Sequence, residues 1–289
     1  MIVLHLGAHR TGTTLFQKAL ANNRETLLSK GISFIGPENI RDGKLRGLMP
    51  RQAKLTPYQK TAAQNAAQKL AAMLEREQSA GRRIILSEEN LIGSVRHNIN
   101  TKNIYPNFRR SIKILRPVFE KVDIFYLSIR SLEEWWNSCF SFAIQRFLRP
   151  PSDKQLDQIA HNSAFGWRTM IKALREAFPI SRIAVIEFGA LTSSPGLQLA
   201  EVSGWADVSD LQTKQRVINR SVPPDKLWDV LAERNDHLGL ARLARKSSGQ
   251  KLTLFSSLGS NLLREAYDRD LAWLVGREDE RLRFIAAPH

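Results

Sequence analysis

Met1-Ile-Val-Leu-His-Leu-Gly-Ala-His-Arg-Thr-Gly-Thr-Thr-Leu-Phe-Gln-Lys-Ala-Leu20 opens the chain and decides its fold class. Ile2 to Leu6 is a short apolar run that reads as a buried strand. A turn containing Gly7 and Gly12 follows, and helical periodicity begins at Thr13-Thr14. Strand, glycine loop and helix in this order turn backbone N–H groups inward and add the positive end of a helix dipole. The stretch predicts a backbone cradle for a phosphate.

Three further β-rich runs lie downstream, at Arg83–Ser87, Val122–Ile129 and Arg182–Phe188. Helical periodicity occupies Thr13–Leu28, Tyr58–Gln78, Leu132–Phe147, Phe165–Phe178 and Lys226–Asn235. Near-continuous apolar strands alternating with helices predict an α/β fold. The expected architecture is a central parallel sheet flanked by helices, a P-loop NTPase-like three-layer sandwich. From about residue 223 the pattern is helical, through Leu262–Val275, and this section is expected to pack over one end of the sheet. Pro150-Pro151 and Pro223-Pro224 read as turns, so residues 1–289 form one expected domain.

With 289 residues, 43% of them hydrophobic, the chain has ample material for a core. Its single cysteine, Cys139, excludes an internal disulfide framework and a cysteine-based zinc cluster. His5, His97, His161, His237 and His289 show no metal-ligand spacing, so no metal is expected. No run approaches the roughly 18 consecutive apolar residues of a membrane span, and no basic-then-apolar leader precedes the first strand. The expected setting is cytoplasmic. Lys and Arg number 43 against 28 Asp and Glu, a formal net charge of +15 that concentrates anions at the surface. Without a lysine-rich tail, zinc finger or aromatic-basic RNA motif, the sequence argues against a nucleic-acid partner.

The spacing Gly7-x4-Gly12 matches a P-loop, but Thr13 stands where the lysine after the second glycine belongs. The cation is Arg10, two residues before Gly12. A second informative stretch is Ile124-Phe-Tyr-Leu-Ser-Ile-Arg-Ser-Leu-Glu-Glu-Trp-Trp-Asn-Ser138. Its strand delivers Arg130 at the C-terminal end, and Ser131 with Glu134 has the spacing of a capping box that starts a helix. Ser138, seven residues past the cap, falls on the cap's own face. A guanidinium fork and a hydroxyl donor can then converge on one anion. Read alone, the pair is more simply a surface arginine after a strand and a serine packed under Trp135.

Taken together, His9-Arg-Thr-Gly-Thr-Thr14 and Arg130-x7-Ser138 resemble the sulfotransferases that use 3′-phosphoadenosine-5′-phosphosulfate (PAPS), most closely their bacterial branch. Ile84-Ile-Leu-Ser-Glu-Glu-Asn-Leu91 is similar to that branch's strand ending in a Ser-x-Glu element. Arg182-Ile-Ala-Val-Ile-Glu-Phe-Gly-Ala-Leu191 is similar to its strand before a Leu…Pro turn. Val217-Ile-Asn-Arg-Ser-Val222 is similar to its Asn-x-Ser element. The resemblance runs from residue 1 to about 235.

This resemblance implies a PAPS-dependent sulfotransferase with a hydroxyl or amine acceptor, carbohydrate or small molecule, and no metal requirement. It places Thr11, Gly12, Thr13 and Thr14 at the 5′-phosphosulfate, with Arg10 stabilising the leaving group from the position where the family has lysine. Arg130 and Ser138 would hold the 3′-phosphate. Register with the Ser-x-Glu element points to Glu89, ahead of Glu88, as the base that deprotonates the acceptor. Both carboxylates can also be read as helix-initiating groups facing solvent. His9 is the second candidate base, or else a structural donor within the loop. Trp135, Trp136 and Trp167 read as core, with adenine stacking as the alternative. The run Ala244-Arg-Lys-Ser-Ser-Gly-Gln-Lys251 reads as a solvated basic loop, or as the loop that closes over the nucleotide. The basic segment Asn39 to Thr56 is where the family builds part of its acceptor cleft. A positive cleft suits an acidic carbohydrate, although the anionic co-substrate accounts for the charge equally well. Two rivals stand beside this reading: a P-loop kinase, and a non-catalytic nucleotide- or polyanion-binding protein.

Overall fold

The computed structural model describes residues 1–41, 45, 48, 56–163, 166–193, 195–204, 222–244, 251–277 and 279–287. Six strands share one sheet: β1 (Ile2–His5), β2 (Ile32–Ile35), β3 (Arg83–Ser87), β4 (Ile124–Ile129), β5 (Arg182–Glu187) and β6 (Leu282–Ile285). Every pairing is parallel, in the order β2-β3-β1-β4-β5-β6. The helices before β4 are α1 (Thr13–Asn22), α2 (Arg24–Ser29), α3 (Pro37–Ile40), α4 (Pro57–Ser79), α5 (Val95–Thr101) and α6 (Phe108–Phe119). After β4 come α7 (Leu132–Arg146), α8 (Asp153–Asn162), α9 (Trp167–Ala177), α10 (Phe188–Ser193), α11 (Pro195–Ser203), α12 (Pro224–Glu233), α13 (His237–Ala244) and α14 (Ser257–Val275).

Successive strand residues point to opposite faces, and both faces are buried. Ile2, Leu4, Ile84, Leu86, Phe125, Leu127 and Val185 join one core with residues of α4, α6, α7, α9 and α14. Val3, Ile85, Tyr126, Ala184 and Ile186 join a second core with α1, α2 and α11. Each fully buried Leu, Ile or Val contributes about 1.5–3 kcal/mol of apolar burial, which is why these strands read as unbroken apolar runs. The result is helix, sheet and helix in three layers, the expected α/β class with a parallel sheet.

Four local expectations are corrected. The section after residue 223 is not helical throughout: α12, α13 and α14 are followed by β6, which pairs with β5 from Ile183↔Leu282 to Ile186↔Ile285. Its four residues lie at the sheet edge, and Arg283 is exposed and bound to Glu201 at 2.7 and 2.8 Å, so it carries little of a buried strand's pattern. β2 is also absent from the sequence reading, being a four-residue edge strand directly after Gly31. The helix expected over Thr13–Leu28 breaks at Asn23, whose amide Nδ2 donates to the Ala19 carbonyl at 2.7 Å and competes with the helical ladder. Finally, α7 starts where expected but without its capping box: Ser131 makes no side-chain cap, and the Glu134 carboxylate, which would reach back to the Ser131 amide, accepts from Arg130 Nε at 3.1 Å instead.

The order places β1 between β3 and β4. The chain leaves β1 toward β2 and β3 on one side and reaches β4 on the other, so a crevice opens at the C-terminal end of β1, where parallel sheets bind ligands.

Candidate functional site

The loop after β1 enters that crevice. Gly7, Arg10 and Gly12 have φ of 58°, 66° and 80°. A Cβ at Gly7 would stand 2.5 Å from Thr13 Oγ1, so space and conformation both exclude a side chain there. Arg10 adopts the left-handed region without glycine's freedom, a cost of about 1–2 kcal/mol that its surroundings must offset.

Those surroundings are a set of hydrogen bonds to the loop backbone. Thr11 Oγ1 donates to the Ala8 carbonyl at 2.7 Å and accepts from the Ala8 amide at 3.2 Å. Thr13 Oγ1 donates to the same carbonyl at 3.0 Å. The Trp135 indole donates to the His9 carbonyl at 2.7 Å, and Arg130 Nη1 donates to the Arg10 carbonyl at 3.3 Å. Trp167 in turn donates its indole N–H to the Arg130 carbonyl at 2.8 Å. The two tryptophans are buried, as core positions require, and their N–H groups fix the loop and the end of β4. The hydroxyls of Thr11 and Thr13 are therefore occupied within the loop. The amides of Thr11, Gly12 and Thr13 donate no hydrogen bond among the described residues, and Gly12 is exposed at the N-terminus of α1. Unused backbone donors and a helix N-terminus therefore lie together, with Gly12 exposed between the buried Thr11 and Thr13.

On the β4 side of the loop, Arg10, Arg130 and Ser138 come together. Arg10 Nε donates to Ser138 Oγ at 2.9 Å. The Arg10 guanidinium lies 5.4 Å from the Phe142 ring centroid and that of Arg130 lies 4.5 Å from the Phe188 centroid. Burial, with help from the charges of Arg130 and Arg146, draws Arg10 below the ordinary guanidinium value. Cys139, beneath them, is a buried thiol pushed up by desolvation despite Arg10 and Arg130, so it is no nucleophile.

On the β3 side stand the carboxylates. Both are buried, which overturns the reading of solvent-facing helix starts. Glu88 has no exposed side-chain surface and is clamped by Arg41, Nε to Oε2 at 2.7 Å and Nη2 to Oε1 at 2.6 Å. It also accepts from the Asn90 amide and Nδ2 at 2.9 and 2.8 Å. Glu89 accepts from Gln17 Nε2 at 2.8 Å and Arg41 Nη2 at 2.9 Å. Burial pushes Glu89 upward, but His9, Arg41 and the Gln17 hydrogen bond together outweigh it and hold the carboxyl below its usual range.

His9 sits between the two groups. Its Nε2 is 3.2 Å from Asn90 Oδ1 and its Nδ1 is 2.8 Å from the Tyr105 hydroxyl, which also accepts from the His9 amide at 2.8 Å. Because Asn90 directs its NH2 to Glu88, its oxygen faces His9; this assigns the proton to Nε2 and leaves Nδ1 to accept from Tyr105. Burial lowers the His9 pKa against the pull of Glu89. Both ring nitrogens are thus in use by the protein. Deeper in, Gln17 Nε2 donates to Ser87 Oγ at 3.2 Å, and Ser87 Oγ lies 2.8 Å from His5 Nδ1. His5 is pushed down to about 4 by burial, partly opposed by Glu89.

No family model, curated protein or solved structure matches this chain.

Every site residue expected from sequence lies at this crevice, with Thr14 in the first turn of α1. Arg41, Gln17, Asn90, Tyr105 and Arg146 were not expected. Arg41 carried a signal, as a cation opening the basic segment Asn39 to Thr56. Tyr105, with a φ of 43°, carried none, since its contact with His9 spans 96 residues. Residues 217–221 of the Asn-x-Ser element, 245–250 of the basic loop and most of 42–55 lie outside the described residues.

Proposed function

We propose that this protein is a sulfotransferase that moves a sulfuryl group from PAPS to a hydroxyl or amine acceptor. The observation that carries the reading is the meeting of Arg10, Arg130 and Ser138 at one side of a glycine loop whose Thr11, Gly12 and Thr13 amides donate no hydrogen bond among the described residues. Two anion subsites would adjoin there, which suits a nucleotide with phosphates at both ends of its ribose. A triphosphatase needs a carboxylate near the loop to hold Mg2+; Arg130 follows β4 instead, and Glu88 and Glu89 are both paired with Arg41.

The co-substrate supplies an activated sulfuryl group on a phosphate leaving group. The amides of Thr11, Gly12 and Thr13 would receive the 5′-phosphosulfate, and Arg130 with Ser138 the 3′-phosphate. Arg10 would counter the charge that develops on the bridging oxygen as the S–O bond breaks and the acceptor's bond to sulfur forms. Glu89, ionised and beside the loop, would take the acceptor's proton; His9, with both nitrogens engaged, would hold the loop.

Calorimetric titration with 3′,5′-adenosine diphosphate, in parallel with ATP plus Mg2+, tests the reading on wild type and Arg130→Ala. Micromolar bisphosphate binding, weakened about 10- to 100-fold by loss of a charge-assisted fork, is the expected result. Binding of ATP alone, or of neither nucleotide, overturns it and restores the kinase or polyanion-binding alternative.

A further inference from the structure

The run of arginines does not end at Arg10. Phe142, against which Arg10 lies, also carries the Arg146 guanidinium 3.9 Å from its ring centroid. One residue on, exposed Phe147 carries Arg96, from the first turn of α5, at 5.1 Å. Arg149 follows, paired with Asp236 at 2.7 Å. Among the described residues, Arg96 and Arg146 pair with no carboxylate. Two more arginines underpin this surface: Arg234 donates to the Ile144 and Gln145 carbonyls at 2.7 and 2.9 Å, and Arg242 to that of Pro150 at 3.1 Å. They satisfy the last carbonyls of α7 and the turn beyond it, which is enough to explain them. Arg146 makes only exposed bonds within its own helix, to the Phe142 carbonyl at 3.4 Å and Gln145 Oε1 at 2.9 Å, and Arg96 donates no hydrogen bond among the described residues.

We infer that this arginine–phenylalanine track, running from the loop along the C-terminal half of α7, binds an acidic polysaccharide. That the bound chain is also the acceptor rests on the sulfotransferase reading above. A file of guanidiniums suits an oligomer with carboxylate or sulfate on successive sugars, because each planar fork can address one such group bidentately. Single-stranded nucleic acid fits less well. Its proteins offer open aromatic faces on which bases stack, whereas both Phe142 and Phe147 here already carry a guanidinium.

The test uses heparin oligosaccharides of increasing length at physiological ionic strength, beside a single-stranded oligonucleotide of matched charge. Wild type and the Arg96→Gln/Arg146→Gln double variant are compared, with thermal melts confirming that both are folded. Affinity should rise with oligosaccharide length, exceed that for the oligonucleotide, and fall about tenfold or more in the variant for the longer chains only. Length-independent binding, equal affinity of the two proteins, or tighter arginine-dependent binding of the oligonucleotide overturns the inference. If 3′,5′-adenosine diphosphate fails to bind wild type while the oligosaccharide dependence holds, the track stands and the sulfotransferase reading falls.

Discussion

The indole N–H of Trp135 donates to the carbonyl of His9 at 2.7 Å, joining α7 to the glycine loop across 126 residues of chain. Trp135 is fully buried, and its ring also meets Trp136 and Trp167 edge-on at 4.9 and 5.4 Å. Trp135→Phe keeps an aromatic ring in the core and removes the donor. The His9 carbonyl then loses its partner, which costs about 1–3 kcal/mol, with some further loss from the smaller ring. Urea denaturation should show this as a lower midpoint. Because the same bond helps hold Arg10 in its left-handed conformation, bisphosphate affinity should fall as well. A variant with lowered stability and unchanged affinity would separate the indole from the loop's geometry.

Acid sensitivity follows from His5. Its folded pKa is depressed to about 4 by burial, against about 6.5 for an unfolded histidine. Between those values the unfolded chain binds a proton that the folded protein refuses. Stability therefore rises with pH across that window and is flat for this group outside it. The span corresponds to about 3 kcal/mol, an order-of-magnitude figure. His9, also depressed, adds in the same direction. Glu89 acts lower down: its folded pKa lies below the usual carboxylate range, so its contribution is lost as pH falls through that folded value. Unfolding free energy measured from pH 7 to pH 4 should fall steeply in wild type. His5→Gln should flatten the slope. An unchanged slope in the variant would show that another group sets the acid limit.

The strands β1, β3, β4 and β5 were legible because burial on both sheet faces forces apolar residues at nearly every position. β2 and β6 were not: an edge strand needs only part of that pattern, and Arg283 of β6 is bound to Glu201 in solvent. Within the site, Gly7, Arg10 and Gly12 could be read from local sequence because the loop's requirements are local. Arg130 and Ser138 could be read because a strand end and a helix face have fixed periods. Arg41, Asn90 and Tyr105 act through contacts that depend on where separate elements come to rest. The capping-box reading of Ser131 and Glu134 failed for a related reason, since Arg130 is an equally near partner for Glu134 and carries a charge.

Arg41 and Glu88 form a bridge whose two ends differ in exposure, 41% for the arginine side chain and none for the carboxylate. Arg41→Ala strands a buried charge. Removing one partner of a fully buried pair costs about 3–5 kcal/mol; Arg41 is half-exposed, so about 2–3 kcal/mol is expected here. Glu88→Gln in the Arg41→Ala background removes that stranded charge and should restore part of the loss. Thermal or chemical denaturation of the two single variants and the double would give the coupling. Additive losses would mean that Glu88 finds its partners elsewhere, with the two Asn90 donors sufficient to hold it.

The assignment of the base turns on which group near the loop has an oxygen or nitrogen to spare. Glu89 uses Oε2 for Gln17 and Oε1 for Arg41, but each carboxylate oxygen has a second lone pair. The His9 ring has no such reserve, because Nδ1 accepts from Tyr105 and the Nε2 proton goes to Asn90. Glu89→Gln keeps size and hydrogen bonding while removing the negative charge. It should cut release of 3′,5′-adenosine diphosphate from PAPS by about 100-fold or more, within the range of general-base catalysis, and leave bisphosphate affinity within a few-fold. His9→Gln should weaken binding through the loop but keep the shape of the pH profile. The acid limb in wild type should lie below the normal carboxylate range, since Glu89 must be ionised to accept a proton and its pKa is held down. An acid limb near the histidine range that disappears in His9→Gln would transfer the role of base to His9.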